Sequence, residues 1–78
     1  MPTILRAGPF RFFFFASDGR EPPHVHVERD EKLAKFWLSP VRIQSSGGFG
    51  RNELNRIKNI VVTHEQELLE SWRDYFSN

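Results

Sequence analysis

The sequence predicts an α+β protein in which an antiparallel β-meander of four to five strands is covered on one face by a C-terminal helix or kinked helix pair. Two observations carry this prediction. Residues 24–29 alternate polar and apolar side chains in period two, as a strand with one buried face does. From about Arg51, apolar residues recur at three- and four-residue steps, as they do along one face of a helix. The 78 residues are expected to form a single domain, 1–78.

The strand-like runs are separated by residues that favour turns. Gly8 and Pro9 divide the first two runs, which predicts a hairpin. The segment SDGREPP, residues 17–23, ends the second run, and Pro40, which cannot donate to a strand ladder, ends the fourth. The predicted strands are Thr3–Ala7, Phe10–Ala16, His24–Arg29, Leu33–Leu38 and a short run at 41–44.

The helical segment carries one apolar stripe and one weak point. The β-branched run at residues 60–63 has low helix propensity, because branching at Cβ restricts the side chain against the preceding turn. We therefore predict a bend or break near Thr63. The stripe comprises Leu54, Ile57, Val61, His64, Leu68 and Trp72.

Composition excludes several classes of function. The net charge is only +1, which argues against a protein that coats nucleic acid by bulk electrostatics. There is no cysteine, so disulfides, thiolate metal sites and a cysteine nucleophile are ruled out. The apolar run near the N-terminus is interrupted by Arg6 and Arg11 and is too short for a membrane span or signal segment. We expect a cytoplasmic protein without a membrane partner.

The stretch FRFFFF, residues 10–15, places aromatic rings on both sides of a strand. The helical segment can cover only one face of the sheet, so Phe13 and Phe15 are expected on the opposite face with Arg11 and Trp37. Contiguous apolar surface of this kind marks partner sites. These four residues are the predicted partner-binding set, for a small cognate protein or a second copy of the chain. Burial by the chain itself and a substrate or nucleotide surface are the alternatives.

His24 and His26 are two residues apart in a predicted strand and therefore share one face, about 7 Å apart along the chain. This spacing can chelate a divalent metal ion if a third ligand is near. Glu28, on the same face, and His64, from the helix, are the candidates for that ligand. No other cofactor is predicted.

The same histidines predict a second chemistry, acid and base catalysis of RNA cleavage. Imidazole titrates near neutral pH, and Arg29 and Lys35 could stabilise a charged phosphorane-like transition state. In a purely structural alternative, His24 caps the Pro-Pro turn and His26 fills a half-buried position between strands. The sequence leaves open whether the protein is an enzyme.

Five segments resemble a family of small bacterial proteins known as domain of unknown function 4160. They read MPTILR, FRFFFF, EPPHVHVER, AKFWLSPVR and LLESWRDYF, and the pattern is carried most specifically by residues 22–29 and 35–38. The resemblance implies a gene that lies beside a second small gene, of the domain of unknown function 2442 type, in an arrangement like a toxin–antitoxin pair. It therefore favours a protein-interaction component of such a pair, with an endoribonuclease-type toxin and a metal-binding protein as the alternatives.

Overall fold

The computed structural model describes residues 3–77 and confirms the α+β prediction. Five antiparallel strands form one sheet in the order in which they occur along the chain, and two helices follow. The strands are β1 (Thr3–Ala7), β2 (Phe10–Phe13), β3 (His24–Arg29), β4 (Lys32–Leu38) and β5 (Val41–Ser45). The helices are α1 (Arg51–Thr63) and α2 (Glu65–Phe76).

Strand register decides which side chains share a face of the sheet. Val27 of β3 pairs with Phe12 of β2, and both are buried in the core that the helices cover, on what we term the helix face. His26 pairs with Phe13 and Lys35, which places these three residues on the opposite side, the outer face. The core on the helix face includes Phe10, Phe12, Phe14, Val25, Val27, Ala34, Phe36, Leu38, Ile57, Val61, Leu68 and Trp72.

The second strand is shorter than the sequence predicts, because it ends at Phe13 and not at Ala16. Phe14 leaves the strand ladder and packs edge-on against Trp72 of α2, with 5.2 Å between the ring centroids. Both rings belong to the core. Burial of Phe14 against the helix therefore takes precedence over continued strand pairing.

A short 3₁₀ segment, Ala16–Arg20, follows the end of β2 in a region that the sequence predicts as loop. Within it, Gly19 lies against the ring of Phe76 of α2. The ring of Phe15 lies 4.6 Å from that of His26, and the carboxylate of Asp18 also reaches this histidine. The outer face is thus covered at one end by the chain itself.

The helical segment is divided at His64, so the predicted break near Thr63 is confirmed. The backbone at His64 has φ −106° and ψ 19°, which departs from helical geometry. Both helices bury the predicted apolar stripe, with Ile57 and Val61 from α1 and Leu68 from α2 in the core. Within residues 3–77, neither helix has the length and hydropathy needed to span a membrane.

Candidate metal centre

Two histidines begin the middle strand of the sheet. His24 is completely buried, with its ring centroid 5.6 Å from that of Trp37 on β4 and 5.0 Å from that of Trp72 on α2. His26 follows on the same face, and the two imidazole rings are 5.1 Å apart and nearly perpendicular. The period-two geometry of β3 therefore brings two imidazoles together at a closed end of the sheet.

The carboxylate of Asp18 lies between these imidazoles. Its Oδ1 is 3.2 Å from Nε2 of His24, and its Oδ2 is 3.0 Å from Nε2 of His26. The carboxylate is held in place by the backbone N–H of Phe15, which donates to Oδ2 over 2.8 Å. The 3₁₀ segment thus positions Asp18 beside β3, although Asp18 itself belongs to no strand of the sheet.

The hydrogen bond on the other ring nitrogen of His24 fixes its tautomer. Nδ1 lies 2.9 Å from the carbonyl oxygen of Pro22. A carbonyl can only accept, so Nδ1 carries the proton and donates, and Nε2 is left with its lone pair when the ring is neutral. This lone pair points into the space shared with Asp18.

Neither Nε2 atom satisfies its hydrogen-bonding capacity. Both are buried, and each has an oxygen of Asp18 close by but poorly aligned with the ring nitrogen for a hydrogen bond. Buried polar atoms are nearly always hydrogen-bonded in native proteins, so two such atoms side by side need an explanation.

Burial lowers the pKa of His26 below its ordinary value, because desolvation disfavours the charged ring. The negative charge of Asp18 opposes this effect, and the neighbouring His24 adds to it. The net result favours the neutral imidazole, which is the form that binds metal ions.

Together the three side chains form a set of metal donors. Two imidazole nitrogens and one carboxylate oxygen lie within 4.8 Å of one another. Two histidines with one carboxylate are found in zinc sites and in non-haem iron sites. The donor types and their convergence fit a divalent transition-metal ion.

A family model, Domain of unknown function (DUF4160), matches residues 10–73, which is most of the chain and includes the whole site. The chain belongs to the DUF4160 family. No significant match to it was found among curated proteins or among solved structures. The resemblance predicted from the sequence is therefore confirmed at the level of the family.

The two predicted third metal ligands lie elsewhere in this DUF4160 protein. Glu28 forms an ion pair with Arg11 on the outer face. His64, at the junction of the helices, has its Nδ1 3.0 Å from the carboxylate of Glu67. The carboxylate that reaches both histidines is that of Asp18, and an oxygen of Glu21 lies 3.9 Å from Nδ1 of His24.

The predicted catalytic cations are separated from each other. Lys35 pairs with His26 across the strands, and its Nζ lies 2.5 Å from Glu21. Arg29 forms an ion pair with Glu53 of α1, so its side chain extends on the helix face, opposite His26. The structure therefore brings Lys35 but not Arg29 to the side of the sheet that carries the histidines.

The predicted partner-binding rings are partly covered by their own chain. Phe13 is only 2% exposed, and its ring contacts Phe15 at 5.1 Å and stacks on His26 at 5.7 Å. The Arg11 guanidinium lies 4.5 Å from the centroid of the Phe13 ring. Phe15 and Trp37 remain half-buried. Burial by the chain, one of the alternatives predicted from the sequence, accounts for Phe13.

Sequence reasoning missed Asp18 because it treated residues 17–23 as an unstructured turn. One signal was available: Asp18 precedes Gly19 close to a histidine pair, and a short acidic turn residue often folds back on its own backbone. That signal does not specify which histidine face the carboxylate reaches.

Proposed function

We propose that this protein binds one divalent transition-metal ion through Asp18, His24 and His26. The observation that carries the proposal is the pair of buried Nε2 atoms without a well-aligned hydrogen bond, both close to one carboxylate. A buried polar atom without a partner costs about 1–3 kcal/mol, and a shared cation removes this cost at both nitrogens. The Nδ1 hydrogen bond to Pro22 supports the proposal, because metal-binding histidines usually donate their other ring N–H to a carbonyl or carboxylate.

The donor set restricts the metal. Imidazole suits Zn²⁺, Fe²⁺, Ni²⁺ and Cu²⁺, whereas Mg²⁺ and Ca²⁺ prefer sites made of oxygen alone. The site is also enclosed, since the side chains of His26 and Asp18 are only 12% and 11% exposed. Enclosure favours a structural ion that ties the 3₁₀ segment to β3. A domain of this size, with a small core, gains much of its stability from such cross-links.

The test is titration of Zn²⁺ into chelator-treated protein, followed by calorimetry near neutral pH. We expect one Zn²⁺ per chain and no comparable binding of Mg²⁺. Asp18→Asn keeps the shape of the side chain but removes its charge, and His26→Gln removes a nitrogen donor. Each is expected to weaken zinc binding at least about tenfold.

Two other variants serve as matched controls. Glu28→Gln removes a carboxylate two residues from His26 on the same face, and His64→Gln removes the remaining histidine. Both should bind zinc as the wild type does. Far-ultraviolet circular dichroism of every variant checks that the fold is retained. Absence of stoichiometric zinc, or equal affinity in Asp18→Asn, would refute the proposal.

The other functions predicted from the sequence have weaker support. RNA cleavage needs substrate to reach both histidines, and His24 has no exposed surface. It also needs Arg29, whose guanidinium is engaged on the helix face. Partnership in a toxin–antitoxin-like pair stays a prediction from the resemblance, because the rings expected to bind the partner include the buried Phe13.

A further inference from the structure

A groove of about 500 Å³ runs between the edge strand β5 and helix α1. Neither Asp18 nor any histidine lines it. β5 is the last strand of the sheet, so its outer backbone edge pairs with no strand within residues 3–77. The groove is lined by Arg42, Ile43, Phe49, Arg51, Leu54 and Lys58 among others.

The floor of the groove is apolar. Phe36 and Phe49 are buried beneath it, and Leu54 of α1 is half-buried in its wall. Ile43 of β5 is 45% exposed, although strand pairing places it beside the buried Phe36. An apolar side chain next to an open strand edge is a feature that proteins usually avoid, because it invites pairing with another chain.

The rim of the groove is positively charged. Arg42, Arg51 and Lys58 are exposed, and in the described part of the chain none of them has an ion-pair partner. No carboxylate of residues 3–77 lines the groove. By contrast, the neighbouring cations Arg29 and Lys32 share the carboxylate of Glu53. The groove therefore concentrates unneutralised positive charge.

We propose that this groove binds an extended acidic segment of a partner protein, which adds to β5 as a further strand. Backbone groups of the β5 edge would pair with the segment. On the helix face an apolar side chain would cover Ile43 and carboxylates would meet Arg51 and Lys58, while a carboxylate on the outer face would meet Arg42, which pairs with Trp37. The proposal is independent of the metal centre.

RNA is a less suitable occupant. Single-stranded nucleic acid needs exposed aromatic faces on which bases stack. The two rings that line the groove, Phe36 and Phe49, are buried, so they offer no stacking surface. An open strand edge offers a row of backbone groups that an extended peptide can pair with.

The experiment measures fluorescence anisotropy of labelled ten-residue peptides titrated with the full chain. The first peptide repeats Glu-Glu-Val-Val, so that each face of the added strand carries both residue types, and we call it the Glu-Val peptide. The second, the Lys-Val peptide, repeats Lys-Lys-Val-Val, and the third is the Glu-Val peptide with N-methylated alternate amides. We expect the Glu-Val peptide to bind at low salt, with affinity that falls as salt is added. The Lys-Val and N-methylated peptides should bind at least about tenfold more weakly.

The double charge reversal Arg51→Glu with Lys58→Glu tests the location, and it should weaken binding of the Glu-Val peptide at least about tenfold. Arg6→Glu is the matched control, because Arg6 is an exposed cation on β1, the other edge strand. It should leave binding unchanged. The proposal is overturned by equal binding of the Glu-Val and Lys-Val peptides, by an unaffected double variant, or by tighter binding of a labelled oligouridine. Tight binding of the N-methylated peptide would overturn the added strand.

Discussion

Gly47, in the loop after β5, packs directly against the backbone of β4. Its φ is +59°, and a Cβ added there would lie 1.7 Å from the carbonyl oxygen of Leu33. Gly8 has nearly the same φ, +58°, but open space around the position of a Cβ. Replacing each glycine by alanine therefore separates two costs in stability: that of the left-handed backbone conformation, present at both positions, and that of a steric clash, present only at Gly47.

We predict that Gly8→Ala lowers the free energy of unfolding by about 1–2 kcal/mol, the cost of a left-handed conformation for an L-residue. Gly47→Ala should cost at least about 1–3 kcal/mol more, because the strand backbone cannot move aside without losing its ladder. Urea denaturation of both variants measures the difference. Equal losses would mean that the loop shifts to relieve the contact at Leu33.

At the proposed metal centre, the sequence predicts two of the three residues and not the third. His24 and His26 share a face because alternation in a strand is fixed by backbone geometry. The same rule places Arg29 on the helix face, because it lies three residues after His26 in the strand, and the structure shows it there with Glu53. Asp18 depends on how a turn folds over the sheet. That fold is decided by tertiary contacts such as the Phe15 ring against His26, which no local pattern encodes.

One carboxylate forms ion pairs between α1 and two strands of the sheet. Glu53, in the first turn of the helix, forms ion pairs with Arg29 of β3 and with Lys32 of β4, whose Nζ is 3.2 Å away. In the structure it links the helix to the hairpin.

This link predicts a pH dependence of stability. Lys32, followed by Arg29, lowers the pKa of Glu53 below its ordinary value of 4.5, while partial burial opposes the shift. A carboxylate with a lowered pKa stabilises the fold above the unfolded-state pKa, and this contribution is lost as the pH falls through the folded-state pKa. Wild type should therefore be more stable than Glu53→Gln at neutral pH, and the difference should shrink below pH 4.5.

The measurement is urea denaturation of both proteins across this pH range. Glu31→Gln is the matched control, because Glu31 is exposed in the β3–β4 turn and has no ion pair with any residue the structure describes. Its difference from wild type should stay flat with pH. A constant difference for Glu53→Gln would show that the ion pairs do not contribute to stability in solution.

The bounds of β3, whose polar and apolar residues alternate regularly, were predicted correctly, and those of β2 were not. β3 has the predicted bounds, since each of its residues alternates between the two faces. The break between the helices follows from the β-branched run before His64. β2 ends early because Phe14 finds a better burial site against Trp72 than the ladder provides. The competition between strand pairing and side-chain packing depends on the whole fold, so it cannot be predicted from a short segment of sequence.

At the scale of the molecule, both aromatic faces of β2 are covered from within one chain. The helices cover Phe12 and Phe14, and Phe13 is enclosed by Arg11, Phe15 and His26. Among residues 3–77, the large apolar residues that remain exposed lie on four different elements: Leu33 on β4, Ile43 on β5, Val62 on α1 and Tyr75 on α2. FRFFFF therefore needs no second copy of the chain to shield it from water.

We accordingly predict that the purified protein is a monomer of 9.2 kDa by light scattering over a wide range of concentration. Phe15→Ser removes a half-buried ring from the outer face, and Val62→Ser removes an exposed apolar side chain from α1. Both variants should have the same mass in solution as the wild type. A stable dimer that Phe15→Ser dissociates and Val62→Ser does not would contradict this prediction. It would make the outer face, with Arg11, Phe15 and Trp37, an interface between copies, and the enclosure of the Asp18–His24–His26 centre would then depend on assembly as well as on folding.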